Sequence, residues 1–183
     1  MRDRLAASAG LTLRRWADTD ADAVLVAFAP AEMARQSGRP IGDEADALQW
    51  LGDRQRDWDA GTGYSWAVVD HRAVVLGSVT VSAVDRRHDT GWVSYWTMES
   101  ARGLGVAAVA TDALCVWAFE DLELFRLELG HRTNNPASCR VAERAGFSVE
   151  GLERAKLRYG DTRYDVELHA RLATDPRPSL GSP

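Results

Sequence analysis

Two segments of the chain carry residue types at spacings that suit chemistry on a phosphate-bearing ligand. The first is Arg102-Gly103-Leu104-Gly105-Val106-Ala107, placed between a β-rich run and an apolar helix. A glycine-bearing turn from strand to helix lets successive backbone N–H groups point into one space. The helix N-terminus adds the positive end of its dipole, and together these suit a pyrophosphate. Glycine serves there because a Cβ would obstruct the close approach of phosphates. A tight turn with no ligand accounts for the same residues equally well. The dinucleotide fingerprint G-x-G-x-x-G is excluded, since Ala108 stands at its third glycine, and a P-loop is excluded because no Gly-Lys-Ser/Thr is present.

The second segment is Asn134-Asn135-Pro136-Ala137-Ser138, which continues as Arg140-Val141-Ala142-Glu143-Arg144-Ala145-Gly146-Phe147. Asn135 as N-cap, Pro136 at the first helical position and Gly146 past the end describe an ordinary capped helix. That description explains Asn135 but places no demand on the Ser138 hydroxyl. Arg140 suits either a ligand phosphate or a solvated helix face.

Positioning these segments requires a particular run of elements. Leu11 to Trp16 alternates as a strand, and Asp18 or Asp20 can cap a helix reaching about Phe28. Asp43 caps a second helix, in which Leu48, Leu51 and Trp58 recur at helical spacing and which Gly61-Thr62-Gly63 ends. Tyr64 to Val69 and Ala73 to Val84 form a hairpin about Asp70-His71-Arg72, and Thr90 to Thr97 gives a third strand of that group. Val106 to Phe119 is apolar on two faces and must be buried against a sheet. Phe125 to Gly130, Phe147 to Arg158 and Arg163 to Leu172 are the remaining strands, the last two joined at Tyr159-Gly160-Asp161. Antiparallel hairpins mixed with single-helix crossovers predict a mixed α/β sheet and exclude a doubly wound one. Residues 1–10 and the Pro-, Gly- and Ser-rich residues 173–183 read as mobile tails around a single domain at 11–172.

Taken together, the two motifs resemble the GNAT superfamily of acyltransferases, in the branch of the ribosomal-protein N-terminal acetyltransferases (RimJ/RimL type). The acyl-CoA signature of that family, Arg/Gln-x-x-Gly-x-Gly/Ala, reads here Arg102-Gly103-Leu104-Gly105-Val106-Ala107. Its Asn-x-x-Ser helix and trailing Gly-Phe read Asn135-Pro136-Ala137-Ser138 and Gly146-Phe147. Tyr95-Trp96, the helix start at Pro40 and Asp43-Glu44-Ala45, and Tyr164-Asp165 also fit the branch. The resemblance spans residues 11–172. It implies the GNAT fold, a mixed, mostly antiparallel seven-stranded sheet splayed in the middle and flanked by about four helices. It also implies acetyl-CoA as cosubstrate; on residue spacing alone, no metal is expected. The pantetheine arm would pair with the open edge at Tyr95, Trp96, Thr97 and Met98. The N–H groups from Gly103 through Leu104, Gly105 and Val106 to Ala107 would hold the pyrophosphate, Arg102 would add a cation, and Asn135 would bond the pantetheine.

Acyl transfer from a thioester to an amine needs a neutral amine, a polarised carbonyl and a proton for the departing thiolate. A Lys amine (pKa near ~10.4) is mostly protonated at neutral pH and an α-amine (near ~8) much less so, so a base or water relay must remove a proton. Backbone N–H groups at the splay can polarise the carbonyl. By resemblance, Ser138 is the acid for the CoA thiolate. In some members of the branch a carboxylate stands on the strand after Gly-Phe at the position Leu157 occupies here. Glu153 shares that strand and, by alternation, that face, and is the substitute base. Glu99 and Asp89 are further carboxylates without geometric support, and the base stays open.

Composition narrows the rest. Over 183 residues, 45% hydrophobic and 27% charged, the chain reads as an ordinary globular protein with a substantial core. The N-terminus lacks the apolar stretch of a secretory signal, and nothing approaches the roughly 20-residue apolar run of a membrane helix, so a cytoplasmic location is expected. A net charge of −5 argues against a nucleic-acid partner. Cys115 and Cys139 read as reduced packing thiols. His71, His88, His131 and His169 are scattered in sequence and form no metal-ligand spacing. Trp50, Trp58 and Trp66 read as core. Three functions fit: an acetyl-CoA-dependent N-acetyltransferase acting on a protein N-terminal amine or a small amine; an enzyme using a larger acyl-CoA such as succinyl-CoA; or a CoA-binding module without turnover. Monomer and homodimer are both compatible with this reading. The acceptor site would draw on the first two helices, the Arg86-Arg87-His88 turn and the last hairpin.

Overall fold

The computed structural model describes residues 2–178. The chain runs β1 (Arg4–Ala6), β2 (Thr12–Arg15), α1 (Ala21–Phe28), a one-turn α2 (Ala31–Ala34) and α3 (Glu44–Ala60). It continues through β3 (Tyr64–Val69), β4 (Val75–Asp85), β5 (Thr90–Thr97), α4 (Val106–Glu120) and β6 (Arg126–Arg132). Then follow α5 (Pro136–Arg144), β7 (Ser148–Tyr159) and β8 (Thr162–Leu172). Two helix starts, those of α3 and α5, follow from side-chain caps, while α1 begins after Asp20 without one. The Asp43 carboxylate accepts from the Asp46 N–H at 2.9 Å, and Asn135 accepts from the Ser138 N–H at 3.2 Å.

One sheet carries all the strands in the order β1-β2-β3-β4-β5-β6-β8-β7. Every neighbouring pair is antiparallel except β5 and β6, which α4 joins as a parallel crossover. That pair is hydrogen-bonded only from Thr90 opposite Arg126 to Trp92 opposite Glu128. Beyond those positions β5 runs on to Thr97 and β6 to Arg132 without pairing to each other, and the sheet opens into a V. The mixed, mostly antiparallel GNAT-type sheet with a central splay is therefore present.

Among the described residues the sheet has eight strands where seven are expected, and the N-terminal tail is shorter than its sequence suggests. Arg4–Ala6 pairs with β2, with Leu5 opposite Leu13 and buried in the core. A three-residue strand offers no alternation to read, because its order comes from its partner. The C-terminal tail differs as well. The Leu172 N–H donates to Asp175 at 2.8 Å, and Arg177 reaches Asp112 at 3.2 Å, so residues 173–178 fold back onto the domain. Residues 179–183, the rest of that expected tail, lie outside the described residues, as does Met1.

Two aromatic clusters sit on the sheet. Trp66 and Tyr64 of β3 meet Trp117 of α4 and Trp58 of α3, with ring centroids between 4.8 and 5.9 Å apart. Trp16, Phe28, Trp50 and Trp96 form the second cluster beneath α1 and α3. Such pairs contribute about 0.5–1.5 kcal/mol each beyond their area burial. Trp50, Trp58 and Trp66 are buried, as expected. Among the described residues no helix is long and apolar enough to cross a membrane.

Candidate active site

The splay between β5 and β6 opens a cleft of about 460 Å³, walled by the start of α4 on one side and the start of α5 on the other. At its α4 end the backbone takes two left-handed steps, Gly103 and Gly105 both having φ +78°. These turn the chain so that α4 begins with its N–H groups at the cleft. The first bond of the helix is from the Val109 N–H to the Gly105 carbonyl at 3.1 Å, so the N–H groups of Val106, Ala107 and Ala108 have no helical acceptor. Arg102, Arg140 and Arg144 bring three guanidinium groups to the same cleft. Unpaired N–H groups, a helix dipole and three arginines lining one cleft are a setting that suits an anion.

The α5 end carries the polar chemistry. Asn135 Nδ2 donates to Ser138 Oγ at 3.0 Å while its own Oδ1 accepts the Ser138 N–H. The side chain thus caps the helix and occupies a lone pair of the hydroxyl, leaving the hydroxyl proton free to donate elsewhere. Tyr95 of β5 donates its hydroxyl to the Ser138 carbonyl at 3.1 Å, bridging the two arms of the V. Burial holds the Tyr95 phenol above its usual pKa, offset in part by that hydrogen bond.

Tyr95, Trp96, Thr97, Arg102, Gly103, Gly105, Val106, Ala107, Asn135 and Ser138 therefore line one space. Leu104 does not, being 69% exposed on the outside of the turn. Met98 lines an adjacent hollow with Val26, Pro30 and Glu99, and its N–H already bonds the Leu76 carbonyl of β4 at 2.8 Å. Glu153 also stands apart. It is ion-paired with Lys156 and sits opposite Val166, outside the lining of the cleft. A bulge in β7 adds residues between Glu153 and Leu157, yet Leu157 faces Tyr164, two residues from Val166, so the two do share a face. Glu99 lines the Met98 hollow, and the Asp89 carbonyl is bonded by the Phe125 and Arg126 N–H groups.

Several lining residues escape sequence reasoning. Arg144 follows Arg140 by one helical turn, and that spacing is the signal that could have found it. Glu32, Met33 and Gln36 come from α2 and the turn after it, where four helical residues give no period. Glu32 pairs with Arg132 of β6 at 3.0 Å, a link between the α1–α2 layer and the far arm of the V. The Arg132 guanidinium lies 5.3 and 5.2 Å from the ring centroids of Tyr159 and Tyr164.

A second pocket of about 300 Å³ lies beneath α1 and α3, and it shares Met33, Gln36, Tyr95 and Trp96 with the cleft. Its floor is a row of hydroxyls, Ser65, Ser78, Thr80, Ser82 and Ser94, with Arg54 and Asp57 at its side. Thr80 donates to Ser65 at 2.8 Å and Ser78 donates to the Trp66 carbonyl at 3.0 Å.

Both the sequence and the fold are similar to those of known proteins. The model of the acetyltransferase (GNAT) domain matches residues 10–148. A ribosomal-protein-serine acetyltransferase of Escherichia coli (strain K12) is 32% identical over 98 residues, which is 54% of this chain and 55% of that protein. The chain thus spans about half the length of that curated relative. Among solved structures, a putative ribosomal-protein-serine acetyltransferase from Vibrio cholerae superposes with a TM-score of 0.78 at 20% identity, covering 94% of this chain and 99% of that one. RimJ from Mycobacterium smegmatis, solved in complex with CoA-disulfide, gives 0.79 at 22% identity, covering 93% and 86%. At these identities the structural likeness is one of fold.

Proposed function

The chain belongs to the acetyltransferase (GNAT) domain family, and from that premise we propose that it transfers an acetyl group from acetyl-CoA directly to a primary amine within a ternary complex. The observation that carries this reading is the cleft itself, in which unpaired α4 N–H groups, the side chains of Arg102, Arg140 and Arg144, and Ser138 line one space. The N–H groups of Val106, Ala107 and Ala108 and the Arg102, Arg140 and Arg144 guanidinium groups take the pyrophosphate. The unpaired edge of β5 from Tyr95 to Thr97 takes the amide-bearing arm, and Asn135 adds a side-chain amide beside it.

In the transfer, the amine nitrogen forms a bond to the thioester carbon and the C–S bond breaks. Ser138, whose hydroxyl oxygen is held by Asn135, gives its proton to the departing thiolate and is reprotonated from solvent. The amine sheds a proton through water toward Glu32, the carboxylate among the residues lining the cleft. The acceptor reaches the acetyl group from the hydroxyl-lined pocket, which meets the cleft at Tyr95 and Trp96. The hydroxyl row, with Asp57 paired to Arg54 beside it at 3.4 Å, suits a polar acceptor bearing an amine, either a protein N-terminal α-amine or a small amine.

Saturating acetyl-CoA is expected to raise the melting temperature, since a ligand binding only the native state at 100 times its Kd adds about 2.7 kcal/mol. For a domain of this size that is a rise of roughly 5–10 °C, read by thermal shift on protein freed of CoA. No shift with acetyl-CoA or CoA would reject the reading. A screen of amines, followed by release of free CoA thiol, then identifies the acceptor. A second reading, a CoA-binding module without turnover, draws on Leu157 standing where a carboxylate would serve and on Glu153 lying outside the cleft. That reading requires the melting shift without CoA release from any amine.

Ser138→Ala probes the acid role. The hydroxyl matters mainly as the C–S bond breaks, so turnover should fall while acetyl-CoA affinity changes little. General acid catalysis contributes about 10²–10⁴-fold, and a thiolate leaves readily, so a loss of roughly tenfold to a hundredfold is expected. Wild-type turnover with a lower melting temperature would assign Ser138 to the helix cap alone.

A further inference from the structure

Four side chains that are far apart in sequence meet under α5, outside the residues that line the cleft. His131 of β6 stands opposite Glu167 of β8, His169 lies two residues further along β8 on the same face, and Cys139 reaches down from the first turn of α5. His131 Nε2 and His169 Nε2 are 2.9 Å apart, and both are near Glu167 Oε1, at 3.4 and 3.0 Å. Cys139 Sγ lies 3.7 Å from the same oxygen, and one ligand atom from each of the four residues falls within 4.8 Å of all the others. In a tetrahedral site with bonds of about 2.0–2.3 Å the ligand atoms stand roughly 3.3–3.7 Å from one another, so small side-chain movements suffice.

The hydrogen bonding of the His131 ring points the same way. His131 Nδ1 lies 3.1 Å from the Arg132 carbonyl, an acceptor only, so Nδ1 carries the proton and Nε2 offers a lone pair. A metal-bound histidine commonly donates its other ring N–H to an acceptor such as a backbone carbonyl. His169 must then donate from Nε2, which leaves its Nδ1 bare. That nitrogen is fully buried and has no partner, in a residue 1% exposed. With no partner of its own among the described residues, Nδ1 can take up the proton without giving up a hydrogen bond.

We infer that His131, Cys139, Glu167 and His169 form a site for a divalent cation of borderline softness, with Zn²⁺ as the best match. Two imidazoles, one thiolate and one carboxylate are a donor set that zinc takes and that calcium or magnesium does not. On binding, the Cys139 thiol loses its proton and His169 shifts its proton from Nε2 to Nδ1, so one proton leaves per ion bound. Because Cys139 directly follows Ser138, the ion fastens the first turn of α5 to β6 and β8. It would act on the cleft by holding that turn, with no part in the chemistry.

The test uses the full chain without an affinity tag, reduced, chelator-stripped and free of CoA. Calorimetric titration with ZnCl₂ in buffers of differing ionisation enthalpy should give one ion per chain and about one proton released. Co²⁺ in place of Zn²⁺ should give an intense visible spectrum with a thiolate charge-transfer band. An outer-shell partner alone is worth about 10–100-fold in affinity, so loss of a ligand in Cys139→Ala or Glu167→Gln should weaken binding roughly a hundredfold or more. Both side chains are partly exposed, so each variant should melt near wild type in the presence of chelator. The site is rejected if no saturable binding occurs, if both variants bind as the wild type does, or if bound Co²⁺ shows no thiolate band.

Discussion

Replacement of Gly105 by valine is expected to lower acetyl-CoA affinity by at least about a hundredfold, roughly 2.7 kcal/mol, while the domain stays folded. Gly105 has φ +78° and its carbonyl accepts the first bond of α4. A Cβ there would point into the cleft, with the Arg144 Nη1 and Nη2 atoms 3.9 Å away as its nearest neighbours. The space is open to a side chain only where a phosphate would otherwise lie. A left-handed L-residue costs about 1–2 kcal/mol, and a β-branched one is worse, but this strain is present with and without ligand. It lowers the melting temperature by a few degrees and drops out of the affinity. The loss of affinity comes from filled space and from displaced N–H donors. Gly105→Ala should fall between the two, and Arg102→Ala should cost about tenfold, the scale of one partly solvated charged contact. Calorimetry that returned wild-type affinity for Gly105→Val would reduce the loop to a turn.

Those glycines were legible in the sequence because they lie between two elements whose own signals are strong. The two-sided apolar pattern of α4, the Asn135–Pro136 start of α5 and the alternation of β5 each rest on residues close together in the chain. Elements shaped by distant partners were not legible. β1 is three residues long and is ordered by β2, and α2 is a single turn, so neither shows a period. The site divides in the same way. The motif residues converge, but Leu104 points outward and the Met98 N–H is taken by β4, because the side a turn residue faces depends on the geometry of the turn. Glu153 keeps the face that alternation assigns, yet that face of β7 lies outside the lining of the cleft. His131 and His169 look scattered because only the antiparallel register of β6 on β8 brings them together. The spacing between strand partners is set by the connecting chain, and no local pattern reports it.

A larger loss of stability is expected from Asp112→Ala than from any change in the cleft. Asp112 lies in the middle of α4 and Arg171 near the end of β8, with side chains 4% and 3% exposed and 2.9 Å between Oδ1 and Nη1. The same Nη1 donates to the Ala145 carbonyl at the end of α5, also at 2.9 Å, and Arg177 adds a second cation on Asp112 Oδ2. One buried pair thus ties together both helices that wall the cleft and the strand beneath them. Its surroundings are apolar, and burial pushes the neighbouring Cys115 thiol up to about 12. Two charges removed from water gain little net stability from one another, but removing one partner strands the other, at a cost of about 3–5 kcal/mol. For a domain of this size that lowers the melting temperature by roughly 6–20 °C. Asp112→Leu combined with Arg171→Met should recover most of the loss, because hydrophobic replacement of a buried pair is often near neutral. Arg177 is 66% exposed, so Arg177→Ala should change stability little. Urea melts of the single and double variants distinguish the cases. If Asp112→Ala cost under about 1 kcal/mol, the scale of a solvated surface pair, water would be reaching the stranded guanidinium. The α4–β8 contact would then rest on packing alone.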